Sequence, residues 1–107
     1  MSEIARLRPV PTTRPEPLWR EVLGQRLRRT RHQRRLTLTQ TAARAGISAQ
    51  YLSEIERGRK EPSSEIVAAV AGALDCTVVD LAGLTVADLR RSHQALGGPA
   101  GPMALAA

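Results

Sequence analysis

Residues 37–58, TLTQTAARAGISAQYLSEIERG, decide the fold of this chain. Thr37 is a good N-cap residue, and Gln40 three positions on completes a T-x-x-Q capping box. The spacing predicts a helix from Leu38 to about Ala45. Gly46 then supplies the positive φ that a sharp helix exit needs. Ser48 caps the next helix, and Ile47 ahead of it can staple onto Leu52 at the fourth helical position. Leu52 and Ile55 turn one apolar stripe inward. Ala42 is small where two helices cross, and Gly58 ends the second helix.

Two short capped helices around a tight turn form the helix-turn-helix pattern, whose second helix enters the DNA major groove. On that helix Ala49, Gln50, Ser53 and Glu54 lie opposite the buried stripe, with Tyr51 at its edge. These are the candidates for base readout. Gln50 can pair with adenine through two hydrogen bonds, and Ala49 can touch a thymine methyl. Ser53 suits a base or a phosphate. Glu54 is repelled by phosphates unless it accepts from cytosine N4 or serves to exclude wrong bases. Thr37, Thr39 and the amide end of the first motif helix point to a phosphate, with Arg44 as a further candidate. Beyond Gly58, Arg59 and Lys60 sit in a loop placed to flank the duplex backbone. Taken singly, each of these residues is also the kind of side chain that any solvated helix face or loop carries.

Ala42, Gly46, Ile47-Ser48, Tyr51-Leu52-Ser53 and Ile55-Glu56-Arg57-Gly58 resemble the XRE family of phage-repressor-like DNA-binding domains, as does Pro62-Ser63 opening a further helix. YLSEIERGRKEPSSE is similar to the actinobacterial Clp-gene regulators. The resemblance covers residues 18–84 and implies an all-α, five-helix DNA-binding domain with flexible tails. It also implies that Arg31 pairs with Glu56, bracing the first helix against the motif. Leu38 stands where that family often has a phosphate-contacting Gln, and Thr41 where it has an aliphatic core residue.

Around the motif the chain reads as one domain with tails. Residues 1–17 hold four of the seven prolines, too many for a helix, and read as a disordered arm. A solvated tail is the simpler account; the alternative is an arm following a DNA groove through Arg6, Arg8 and Arg14. Val22, Leu23 and Leu27 give the face of a helix from Leu18 to about Arg34, whose other arginines form a solvated face. Ser63 caps a helix with Ile66, Val67, Val70 and Leu74 on one side. Thr77-x-x-Asp80 starts a short fifth helix with Leu81 inward, and Cys76 completes the core as a small hydrophobe. Thr85-x-x-Asp88 opens a separate last helix over 85–96, with Val86, Leu89 and Leu96 on one side. Too short to stand alone, it docks or pairs with a second chain. Residues 97–107 are a flexible tail whose Leu105, Ala106 and Ala107 resemble the end of a bacterial degradation tag, a candidate degron for a Clp-type protease.

Composition narrows the function. The charge of +6 rests on Arg and one Lys, which suits an acidic polymer. No apolar run approaches the roughly 20 residues of a membrane span and no secretory signal opens the chain, so the cytoplasm is the expected compartment. His32, His93 and the lone Cys76 have no metal-ligand spacing, and no phosphate loop follows a strand. Neither catalysis nor a metal or other cofactor is expected. A domain of this size buries only about 60% of its unfolded surface, which favours a homodimer. Three classes compete: a homodimeric transcription factor on near-palindromic double-stranded DNA, an antitoxin-like protein-binding module, and a nonspecific nucleic-acid binder. A nonspecific binder has no need of a well-capped recognition helix, and the Gly- and Ala-rich end offers little to clasp a toxin. The expectation is therefore a transcriptional regulator, an activator of protease and chaperone genes by the subfamily resemblance, with RNA polymerase and a Clp-type protease as further partners. An autoregulatory repressor is the alternative.

Overall fold

The computed structural model describes residues 17–95, which form five helices and, among the described residues, no strand. They are α1 (Trp19–Gln33), α2 (Leu38–Ala45), α3 (Ala49–Glu56), α4 (Ser64–Ala73) and α5 (Val78–Ala95). Residues 1–16 and 96–107 lie outside the described residues. With them go the arm arginines Arg6, Arg8 and Arg14 and the degron candidates Leu105, Ala106 and Ala107. The helix starts follow local chemistry. Thr37 Oγ1 accepts from the Gln40 amide at 3.0 Å while Gln40 Oε1 accepts from the Thr37 amide at 2.9 Å. Ser48 and Ser63 accept from Tyr51 and Ile66 in the same way, and Thr77 from Asp80.

The helix ends share one device. Arg35, Gly46, Gly58 and Asp75 all take positive φ directly after α1 to α4. In each case the following amide reaches back across the last turn, Leu36 to Arg31 O, Ile47 to Ala42 O, Arg59 to Glu54 O and Cys76 to Ala71 O. This is the Schellman arrangement, in which the residue after the left-handed position packs against the last turn. Leu36, Ile47 and Cys76 do so, lying against the core. The burial of Cys76 pushes its thiol above the usual cysteine range, which suits a space-filling group and not a reactive thiolate.

α1 packs on α3 and α5, and α2 on α3 and α4, around an aliphatic core of Leu23, Leu27, Ala42, Leu52, Ile55, Val70, Ala71, Leu74 and Leu81. Thr41 is buried among them, its hydroxyl satisfied by donating to Thr37 O at 3.0 Å. The expected break before residue 85 is absent: α5 runs unbroken for 18 residues. Thr85 looks locally like a cap, yet it is fully buried and donates to Leu81 O at 2.7 Å within its own helix. Asp88, the other half of the supposed box, turns inward and accepts two bonds from Arg26 on α1, both at 2.7 Å. A buried partner on another helix outcompetes the local cap. The boundary expected at Leu84 therefore falls inside a helix. The α1 arginines are correspondingly less of a solvated face than their density implies. Arg26 and Arg31 are buried, and Arg34 Nε donates to Leu74 O at 2.9 Å.

Candidate nucleic-acid interface

On α3 the inward positions are Leu52, Ile55 and Glu56. The outward side is set by helical spacing as Gln50, Ser53, Glu54 and Arg57. Gln50 is exposed, while Ser53 and Glu54 are half-buried. Ala49 and Tyr51 are half-buried too, but they pack against the core and flank this face instead of crowning it. Glu54 does not stand alone: Arg57 Nη2 donates to its Oε2 at 3.1 Å. That surface pair contributes at most about 1 kcal/mol, yet it neutralises a carboxylate that phosphates would otherwise repel.

Two supports hold α3 in place. Arg31 Nε and Nη2 donate to the two carboxylate oxygens of Glu56 at 2.7 and 2.9 Å, and Arg31 Nη1 donates to Leu36 O at 3.0 Å. This doubly bonded pair outweighs burial and raises the Arg31 guanidinium above its ordinary range. The second support is contact without side chain. Gly24 on α1 lies so close to the end of α3 that an added Cβ would stand 2.3 Å from Ile55 O.

Thr37 and Thr39 are exposed at the amide end of α2, where the capping box takes the Thr37 and Gln40 amides, while those of Leu38 and Thr39, with the helix dipole, favour a phosphate. Arg59 and Lys60 are exposed in the loop after α3. Arg44 is not brought to either group. It sits at the other end of α2, with Nη1 3.5 Å from Ala73 O at the carbonyl end of α4, where a cation suits the helix dipole. Arg57, absent from the sequence candidates, belongs to the outward face, and its spacing from Ser53 and Glu54 was the available signal.

Comparison with known proteins places this arrangement of helices in a family. A family model described as a helix-turn-helix domain matches residues 22–84, more than half of the chain. The chain belongs to the helix-turn-helix family. Within it, the chain is 53% identical over 57 residues to the transcriptional regulator ClgR of Mycobacterium tuberculosis, covering 53% of this chain and 51% of that protein. The immunity repressor of Bacillus phage phi105 is 44% identical over 61 residues, 57% of this chain and 42% of that one. The chain thus spans about half the length of the curated relatives it matches. Among solved structures, the clp gene regulator ClgR from Corynebacterium glutamicum superposes with a TM-score of 0.72 at 42% identity, over 75% of this chain and 85% of that one. The expected likeness to phage-repressor-like and Clp-gene regulators is thus present. No group of three or more His, Cys, Asp or Glu among the described residues is placed to hold a metal, and no single helix there is long and apolar enough to cross a membrane.

Proposed function

We propose that this helix-turn-helix protein is a sequence-specific transcriptional regulator that binds a near-palindromic DNA operator as a homodimer. The observation that carries this is the outward face of α3, with exposed Gln50 beside Ser53 and Glu54 on a helix clamped by Arg31–Glu56. Gln50 and Ser53 would read bases, with Ala49, Tyr51 and Glu54 shaping the fit. Thr37, Thr39, Arg59 and Lys60 would hold phosphates on either side. The likeness to proteins described as clp gene regulators supports Clp genes as targets. Activation of protease and chaperone genes through RNA polymerase is the mode proposed, with an autoregulatory repressor as the alternative.

A second copy has a surface to use. Val79 is 80% exposed, and Val86 lies two helical turns further along the same side of α5, with the exposed Val78 next to Val79. Burying that stripe against its symmetry mate would supply the apolar area that a small domain lacks. Two-fold pairing would set the α3 helices about 34 Å apart, one turn of DNA. Val79→Glu should then shift the protein toward monomer in sedimentation and weaken operator binding. Footprints of a single unpaired half-site at saturation would rule the dimer out.

The test of readout separates two kinds of residue. Gln50→Ala should relax preference at one base position and cost about 1–3 kcal/mol on the best site. Arg59→Ala or Lys60→Ala should weaken all sequences alike and lower the salt slope by roughly one unit. Selection from a random-sequence pool measures both. Unaltered base preferences in Gln50→Ala would overturn this docking of α3.

A further inference from the structure

A groove of about 590 Å³ opens beside the carboxyl end of α3, between that end, the exposed side of α1 and Ser92 on α5. Three guanidinium groups line it, Arg28, Arg57 and Arg59. Its two carboxylates are already engaged. Both oxygens of Glu56 are held by Arg31, and Glu21 Oε1 accepts from the Leu18 amide at 2.9 Å. Arg57 is shared with Glu54 in an exposed pair, so Arg28 and Arg59 carry the groove's uncommitted charge. Among the described residues, neither Arg28 nor Arg59 makes an ion pair. With Glu56 neutralised by Arg31 and Glu21 left as one negative charge, the groove keeps an excess of positive charge, beside the polar side chains of Gln25 and Ser92.

Arg57 belongs both to this groove and to the outward face of α3, so the two surfaces are continuous. Eight residues of α3 span about 12 Å, close to the width of the major groove. A helix lying in the groove thus brings its carboxyl end to the bordering phosphate strand. We propose that the Arg28–Arg57–Arg59 groove is a second backbone site that takes phosphates of the duplex flanking each half-site. This rests on the DNA-binding reading above. It adds that recognition extends outward past the bases facing Gln50, and that Arg28 on α1 anchors the extension.

The experiment uses the full chain and two duplexes with the same operator, one with flanks of about 2 base pairs and one with about 10. Wild type should bind the long duplex roughly tenfold more tightly at about 0.1 M salt, with a steeper salt dependence. Arg28→Ala should lose most of that difference, its slope on the long duplex reduced by about one unit per subunit, and Arg28→Lys should restore it. Arg28 is exposed and, among the described residues, makes no ion pair, so the variant should keep the wild-type circular dichroism and melting temperature. Equal affinity of wild type for both duplexes would overturn the proposal. So would ATP binding to the free protein that is lost in Arg28→Ala while flank length has no effect, since the groove would then hold a free nucleotide. Failure to bind either duplex would instead strike the DNA-binding reading itself and remove the basis of the groove.

Discussion

Gly24→Ala is expected to destabilise the domain by about 2–3 kcal/mol, the opposite of what helix propensity predicts. An interior helical glycine costs roughly 1 kcal/mol relative to alanine, so local preference alone favours the change. The added Cβ, however, would meet Ile55 O at 2.3 Å, Glu56 O at 2.7 Å and the Glu56 carbonyl carbon at 2.9 Å. All three are backbone atoms and cannot rotate aside. α1 must retreat from α3, pulling at the Arg31–Glu56 pair and loosening the core that Leu27, Leu52 and Ile55 share. Overpacking of this kind costs about 1–3 kcal/mol and occasionally more. In a domain of this size the loss corresponds to a fall in Tm of roughly 10–20 °C. Gly72→Ala is the control, because nothing lies within 4 Å of its added Cβ, and it should stabilise by about 0.5–1 kcal/mol. If Gly24→Ala melted at or above the wild-type temperature, the close crossing of α1 and α3 would be refuted.

Asp88→Asn should be as damaging, for an electrostatic reason. Asp88 and Arg26 are 8% and 7% exposed and doubly hydrogen-bonded, with Arg29 Nη1 3.6 Å from Asp88 Oδ1 and Arg91 donating to the same oxygen. Neutralising the carboxylate leaves Arg26 buried without its counter-charge, beside two further cations. Breaking a buried pair costs about 3–5 kcal/mol, and the solvent edge at Arg29 and Arg91 puts this one near the lower end. The hydrogen bond from Arg26 and the surrounding cations hold the Asp88 carboxyl below its usual range. The stability it contributes is therefore fully present above the unfolded-state pKa of about 4 and is lost as pH falls through the lower, folded value. Urea melts of wild type and Asp88→Asn should differ by a constant amount between pH 5 and 8, and the gap should narrow below about pH 4. A gap that did not narrow in acid, or was absent at pH 7, would show that Asp88 does not tie α5 to α1. Replacing Arg26 and Asp88 together with leucine should cost less than Asp88→Asn alone, because no charge is then left unpaired.

The helix-turn-helix itself was legible in the sequence because its signals are local. The capping chemistry of Thr37, Gln40, Ser48 and Ser63, the left-handed exits at Gly46 and Gly58, and the stripe of Leu52 and Ile55 all act within one turn of the residue that carries them. Gln50 could be placed on the outward face for the same reason, since helical periodicity alone opposes it to Leu52. The exits at Arg35 and Asp75 were harder to see, because a non-glycine residue there leaves only the apolar residue that follows as a sign.

What the tertiary structure decided depends on groups far apart in the chain. Thr77-x-x-Asp80 and Thr85-x-x-Asp88 are the same pattern eight residues apart, and nothing local tells a real cap from a mid-helix pair. Arg26, 62 residues from Asp88, makes the difference. Gly24 looks like a weakness in α1 until the carbonyls of Ile55 and Glu56 are laid against it. Arg28 reads as one more solvated arginine until the fold sets it across a groove from Arg57 and Arg59. Periodicity and caps specify helices and their faces. Which charge is buried, which glycine is needed and which cations share one surface follow only when helices distant in sequence are packed together.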